Sequence, residues 1–115
     1  MSTASPSGNW LVREDRVLAT LEIAATRRHR RRGLLGRDGI EGAMMLAPAR
    51  SVHTFGMKFA IDVAHLDAHG VVLRMTTMKP NRLGAFVARS RSVIETEAGA
   101  LARWGVAAGD VLEAR

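Results

Sequence analysis

The chain has 115 residues, no cysteine and a net charge of +6, a length that sets an expectation of one domain able to fold without covalent staples. Lacking cysteine, it has no disulfides, thiolate metal sites or cysteine nucleophiles. Residues 1–9 are polar and small where a secretory signal needs an apolar stretch, and Gly42–Ala49 is far shorter than the roughly 20 apolar residues of a membrane helix, so a cytoplasmic domain without a membrane span is expected.

Residues 1–9 read as a disordered leader, and residues 10–115 as a single β-rich domain. Trp10, Leu11 and Val12 open the apolar pattern. From Arg16 onward Val17, Ala19, Leu21 and Ile23 alternate with Leu18, Thr20 and Glu22, the period of a half-buried strand. Thr26 is a candidate N-cap for a short helix over Arg27–Leu35, although the arginines crowd its positive end. Gly33, Gly36, Gly39 and Gly42 then mark an irregular connection.

Ala43–Leu46 is a short apolar run, and Val52–Phe55 is a further candidate strand. Ile61–Leu66 and Val71–Met75, joined by Asp67-Ala68-His69-Gly70, predict a hairpin. After a loop at Pro80, Asn81 and Gly84, Val93–Thr96 reads as a strand and Ala98–Trp104 as a short helix ending at Gly105. Gly109-Asp110 turns the chain into a last strand, Val111–Ala114. The expected fold is mainly β: a small barrel or sandwich of short strands with one or two short helices.

Three segments, in order, resemble the domain-of-unknown-function 192 family. They are Arg32-Gly33-Leu34-Leu35-Gly36-Arg37; the run from Val52-His53-Thr54-Phe55-Gly56-Met57 through Lys58-Phe59-Ala60-Ile61-Asp62-Val63; and Ile94-Glu95 with Ala98-Gly99, Gly105 and Gly109-Asp110. Leu35 stands where the family has Met, and Ala60 where Pro is common. The resemblance implies a jelly-roll-like β domain and supplies no reaction.

The densest cluster of functional side chains is His53, Met57 and Asp62, with Arg32, Arg37 and Glu95 as charged support. Together they predict a non-catalytic binding or accessory domain, with a pocket or partner surface for a small ligand or a protein. The bland alternative is that His53 pairs inside the sheet while Asp62 caps backbone amides.

A second reading takes Arg27, Arg28, Arg30 and Arg31 as contacts to a nucleic-acid backbone. Six arginines fall within Arg27–Arg37, and outside them basic and acidic residues balance at 11 each. With few aromatics and no tyrosine, a base-stacking platform is missing.

A third reading is a small hydrolase using His53 with Asp62 or Glu95, with Ser51 beside His53 on one strand face; no nucleophile elbow accompanies them. His65, Asp67 and His69 have a metal-like spacing, but the turn composition swings His69 away, so no metal is assigned. Glu95 and Glu97 share a strand face, and Glu95 is a candidate partner for Arg32 or Arg37. No cofactor is expected, since the glycines lack a phosphate-loop ending.

Overall fold

The computed structural model describes residues 9–115. The leader expected over 1–9 lies outside the described residues except for Asn9, which belongs to the first strand. Seven strands and two short helices follow: β1 (Asn9–Arg13), β2 (Arg16–Ala24), α1 (Arg27–Arg32), β3 (Ala43–Leu46), β4 (Ile61–Leu66), β5 (Val72–Met78), β6 (Ser92–Glu97), α2 (Ala100–Arg103) and β7 (Glu113–Ala114). The strands form one sheet in the order β5-β4-β6-β3-β2-β1-β7. Its pairs are antiparallel except β2–β3, which is parallel. The mainly β expectation holds, as a curled half-barrel with two short helices.

Curling is visible in the backbone. Val71 bridges Val111, Val72 N–H donates to Asp110 O, and Leu112 N–H donates to Gly70 O. These contacts join the start of edge strand β5 to the chain leading into edge strand β7. Residues from strands far apart in the sheet therefore meet in one apolar cluster: Leu11, Leu21, Ala64, Leu66, Val72, Ile94 and Leu112, with Leu101 and Val106.

The opposite face carries a second cluster, including Met44, Leu46, Ile61, Val63 and Val93, covered by Leu34, Val52 and Met57. Covered on both faces, β4 is buried along its whole length. Its odd residues Ile61 and Val63 serve the second cluster, and its even residues Ala64 and Leu66 the first, as the two-residue strand period requires.

Local chemistry explains where expected elements changed. In β2 the simple alternation fails, because the register shifts opposite Leu11 and Val12 and leaves Leu18 unopposed between Val17 and Ala19. Through this bulge Leu18 joins Leu21 and Ile23 at the first cluster, while Val17 is 58% exposed. Helix α1 stops at Arg32, three residues early, because Gly33 at its C-cap has a φ of 47°. Its N-cap is Thr26, whose hydroxyl accepts the His29 amide at 3.0 Å.

Val52–Phe55 is no strand. Only His53 forms a bridge, to Leu83, because the chain turns at once, with Met57 N–H donating to Thr54 O and Gly56 at a φ of 78°. The β4–β5 hairpin forms as expected, its turn held by Asp67 Oδ1 accepting the His69 and Val71 amides. β5 runs on to Met78, whereas the last strand shrinks to two residues.

Candidate functional site

Helix α1 and the loop after it lie over the second apolar cluster, facing residues 51–57. A cavity of about 90 Å³ remains between them, lined by Arg30, Arg31, Arg32, Gly33, Leu34, Leu35, Leu46, Ser51, Val52, His53, Met57 and Glu95. Four of the six expected site residues thus meet here: Arg32, His53, Met57 and Glu95.

Glu95 is the unusual member. Its cross-strand neighbours on β3 and β4 are Met44 and Val63, so its side chain enters the apolar cluster face of the sheet. It is 3% exposed, and its carboxyl has no hydrogen bond or ion pair among the described residues. No side-chain oxygen or nitrogen among those residues is both sealed from solvent and unpaired, so this carboxyl meets solvent through the cavity. Burial pushes its pKa up to about 7. The expected pairing of Glu95 with Arg32 or Arg37 does not form.

The rim is built by residues 51–57. Thr54 is fully buried; its hydroxyl donates to Lys79 O at 2.6 Å and accepts the Arg82 amide at 2.9 Å. That anchor leaves the residues either side to face outward, while the turn at Gly56 returns Met57 to the cavity wall. His53 is exposed and stacks on Phe55, with ring centroids 5.2 Å apart. Its Nδ1 accepts the Phe55 amide at 3.3 Å, so the neutral imidazole carries its hydrogen on Nε2. Exposed Phe55 and Leu83 flank it with apolar surface.

The wall formed by α1 is held to β2 through Glu22. This carboxylate accepts Arg37 at 2.8 Å and lies 3.0 Å from His29 Nε2. Burial opposes its ionisation, but the hydrogen bonds from Arg37 and His29 prevail and lower its pKa. Arg37 therefore lies outside the cavity and positions its wall. Arg30 donates to Ala25 O and to Ala47 O, so its guanidinium also braces the helix.

Asp62 is not part of this constellation. It projects from the other face of β4, where Oδ1 accepts the Thr77 hydroxyl at 2.7 Å and Oδ2 accepts the Gly99 and Leu101 amides at 2.9 and 3.3 Å. The amide-capping alternative describes it, and it stands too far round the sheet to orient His53. Ser51 and His53 share the cavity, but His53 Nδ1 is engaged by backbone, not by a carboxylate.

The remaining polar residues are dispersed. His65 is buried with Nδ1 3.0 Å from Ser90 Oγ, whose own hydrogen points to Ala49 O, and burial followed by Arg74 lowers its pKa. Asp67 caps its turn, and the amides of Val71 and His69 lower its pKa. Among the described residues no three His, Asp or Glu side chains come together as a metal site. Glu97 is exposed, 3.9 Å from Arg103. Arg27, Arg28 and Arg31 have no side-chain partner among the described residues.

Sequence reasoning assigned Arg30 and Arg31 to nucleic acid and passed over Leu34, Leu46 and Val52 as cavity walls. The available signal was the resemblance: Arg32–Leu35 of its first segment, Val52, His53 and Met57 of its second and Glu95 of its third all line the cavity.

The fold is similar to two solved structures. One is a protein of unknown function from Novosphingobium aromaticivorans, 19% identical, with a TM-score of 0.76 over 96% of this chain and 91% of that chain. The other is described as a candidate transcription regulator from Sinorhizobium meliloti, 22% identical, with a TM-score of 0.75 over 92% of this chain and 91% of that one. No curated protein matches the chain. The family model DUF192, an uncharacterised ACR, matches residues 11–114. With that model spanning nearly its whole length, the chain belongs to the DUF192 family.

Proposed function

We propose that this domain is a non-catalytic binding module whose cavity between α1 and residues 51–57 takes a small anionic ligand. The observation that carries the reading is Glu95, a buried carboxyl with no partner among the described residues, facing a cavity also lined by three arginines and His53. A group that enters the cavity displaces the solvent this carboxyl meets and must hydrogen-bond it in turn, since a buried polar group left without a partner costs on the order of 1–3 kcal/mol. At about 90 Å³ the cavity is well below the roughly 300–1,000 Å³ of sites that hold whole cofactors or drug-sized ligands. The ligand is therefore a few heavy atoms, or the end of something longer.

A thermal-shift panel of small carboxylates, phosphate, sugars and nucleotides at pH 6 tests the reading. At about 100 times its dissociation constant a ligand stabilises by about 2.7 kcal/mol, several degrees for a domain of this size. Stabilisation by an anion in the wild type, lost in His53→Ala and Arg32→Ala, is expected. A silent panel, or one indifferent to both variants, overturns it.

A second reading, backbone contacts to nucleic acid, is favoured by Arg27, Arg28 and Arg31, which share one short helix and have no side-chain partner among the described residues. Three phosphate contacts would give a log–log salt slope of about −3 on duplex DNA. Binding that Arg27→Ala and Arg28→Ala leave unchanged would dismiss it.

A further inference from the structure

We propose that the cavity selects a short aliphatic monocarboxylate, whose head shares a proton with the Glu95 carboxyl and whose tail lies against Leu34, Leu46, Val52 and Met57. The inference rests on the binding reading above and names its ligand class.

Polar groups occupy only part of the lining, namely Glu95, the α1 arginines, Ser51 and His53; the remaining side chains are aliphatic or thioether. A phosphate or sulfate presents oxygens in four directions, and those facing Leu34, Leu46, Val52 and Met57 would lose hydration without gaining donors. A carboxylate presents two oxygens on one side and carbon on the other. Its shape suits a lining that is part polar and part apolar.

Met44 and Val63, the neighbours of Glu95 on β3 and β4, carry no charge. The charged and titratable groups that share the cavity lining with Glu95 are Arg30, Arg31 and Arg32 from α1 and His53 from the 51–57 segment. The arginine charges along this lining disfavour an amine or guanidinium ligand and attract an anion. An anion next to an ionised Glu95 would be repelled, whereas the protonated carboxyl donates its O–H to one ligand oxygen. Such acid–carboxylate hydrogen bonds are short and strong. With burial holding the Glu95 proton until about pH 7, the acceptor-only carboxylate of the ligand finds a donor in place below that pH.

The experiment is calorimetric titration of the whole chain with sodium propionate and sodium butyrate from pH 5.5 to 8.5. Each pH is run in two buffers of different ionisation enthalpy, so that proton uptake is read directly. Expected are binding that weakens about tenfold per pH unit above pH 7, and uptake approaching one proton per ligand there. Glu95→Gln keeps an N–H donor and should bind with flat pH dependence. Running His53→Gln alongside isolates the part of the binding that does not involve the imidazole. If Glu95→Gln does not fold, the proton uptake measured with His53→Gln decides.

Affinity independent of pH, or rising with it, overturns the shared proton. Phosphate binding as tightly as propionate overturns the carboxylate. If another ligand shows His53-sensitive binding while propionate and butyrate do not bind, this inference falls and the binding reading stands. If nothing binds in a His53-sensitive way, both fall.

Discussion

Asp62 Oδ2 accepts the Gly99 amide at 2.9 Å, and this contact joins the middle of the sheet to the first turn of α2. Gly99 is the helix N-cap with a φ of 92° and has no side chain to cap with. Asp62 supplies that function from β4, accepting Leu101 N–H as well, and the Thr77 hydroxyl of β5 holds its other oxygen. Removing it strands two amides and a hydroxyl. Asp62→Ala is expected to cost about 3 kcal/mol in urea unfolding while leaving ligand affinity of the folded protein unchanged. Loss of binding with unaltered stability would contradict this placement.

Glu95 should set the pH dependence of stability near neutrality. Its pKa rises from 4.5 when unfolded to about 7 when folded. Between those values the native state holds a proton that the unfolded state has released, so stability falls as pH rises through that window. The difference amounts to about 3 kcal/mol. Glu95→Gln is expected to flatten the profile, matching wild type near pH 4.5 and exceeding it at pH 8. Unfolding curves at the two pH values check it, and parallel profiles for the two proteins would refute it.

Glu22 works in the opposite direction. Its lowered pKa makes its stabilisation complete above 4.5, and that stabilisation is lost as pH falls through the folded value. Because the partners are partly exposed, the expected effect of Glu22→Gln at pH 7 is about 1 kcal/mol or less. The variant should also release α1 from β2, which faster amide exchange at Arg30 and Gly33, two donors of the α1 backbone bonds, would reveal.

Two glycines of one loop should respond differently. A β-carbon at Gly42 would sit 2.6 Å from the Thr20 carbonyl oxygen, and φ there is 72°. Gly42→Ala therefore forces β2 and β3 apart and should cost about 3 kcal/mol. Among the described residues nothing lies within 4 Å of a β-carbon at Gly39, and its φ is not left-handed, so Gly39→Ala should stay within about 0.5 kcal/mol. Thermal unfolding of the pair is a direct comparison.

The residues that sequence reading placed well are those governed by neighbours in the chain. Thr26 caps α1, Asp67 closes the hairpin and Gly105 follows α2 with a φ of 70°, each through contacts within a few positions. Val17 and the Val52–Phe55 segment were misplaced because a bulge opposite Leu11 and a side-chain anchor from Thr54 to residues 79–82 override local alternation. Those contacts join residues far apart in the chain, and no local period encodes them.

The same division applies to the site. Composition, turn chemistry and strand period are properties of neighbouring residues, and from them follow a mostly β chain and a central hairpin; the segments Arg32–Arg37 and His53–Met57 stand out through the family resemblance. Which face of β4 a carboxylate occupies depends on strand phase and on what covers each face. Tertiary structure alone therefore sent Asp62 to cap α2, tied Arg37 to Glu22 and left Glu95 beneath the arginines. The sheet pairs β6 with β3 and β4, far apart in the chain, and that pairing placed an acid with which no cation among the described residues pairs.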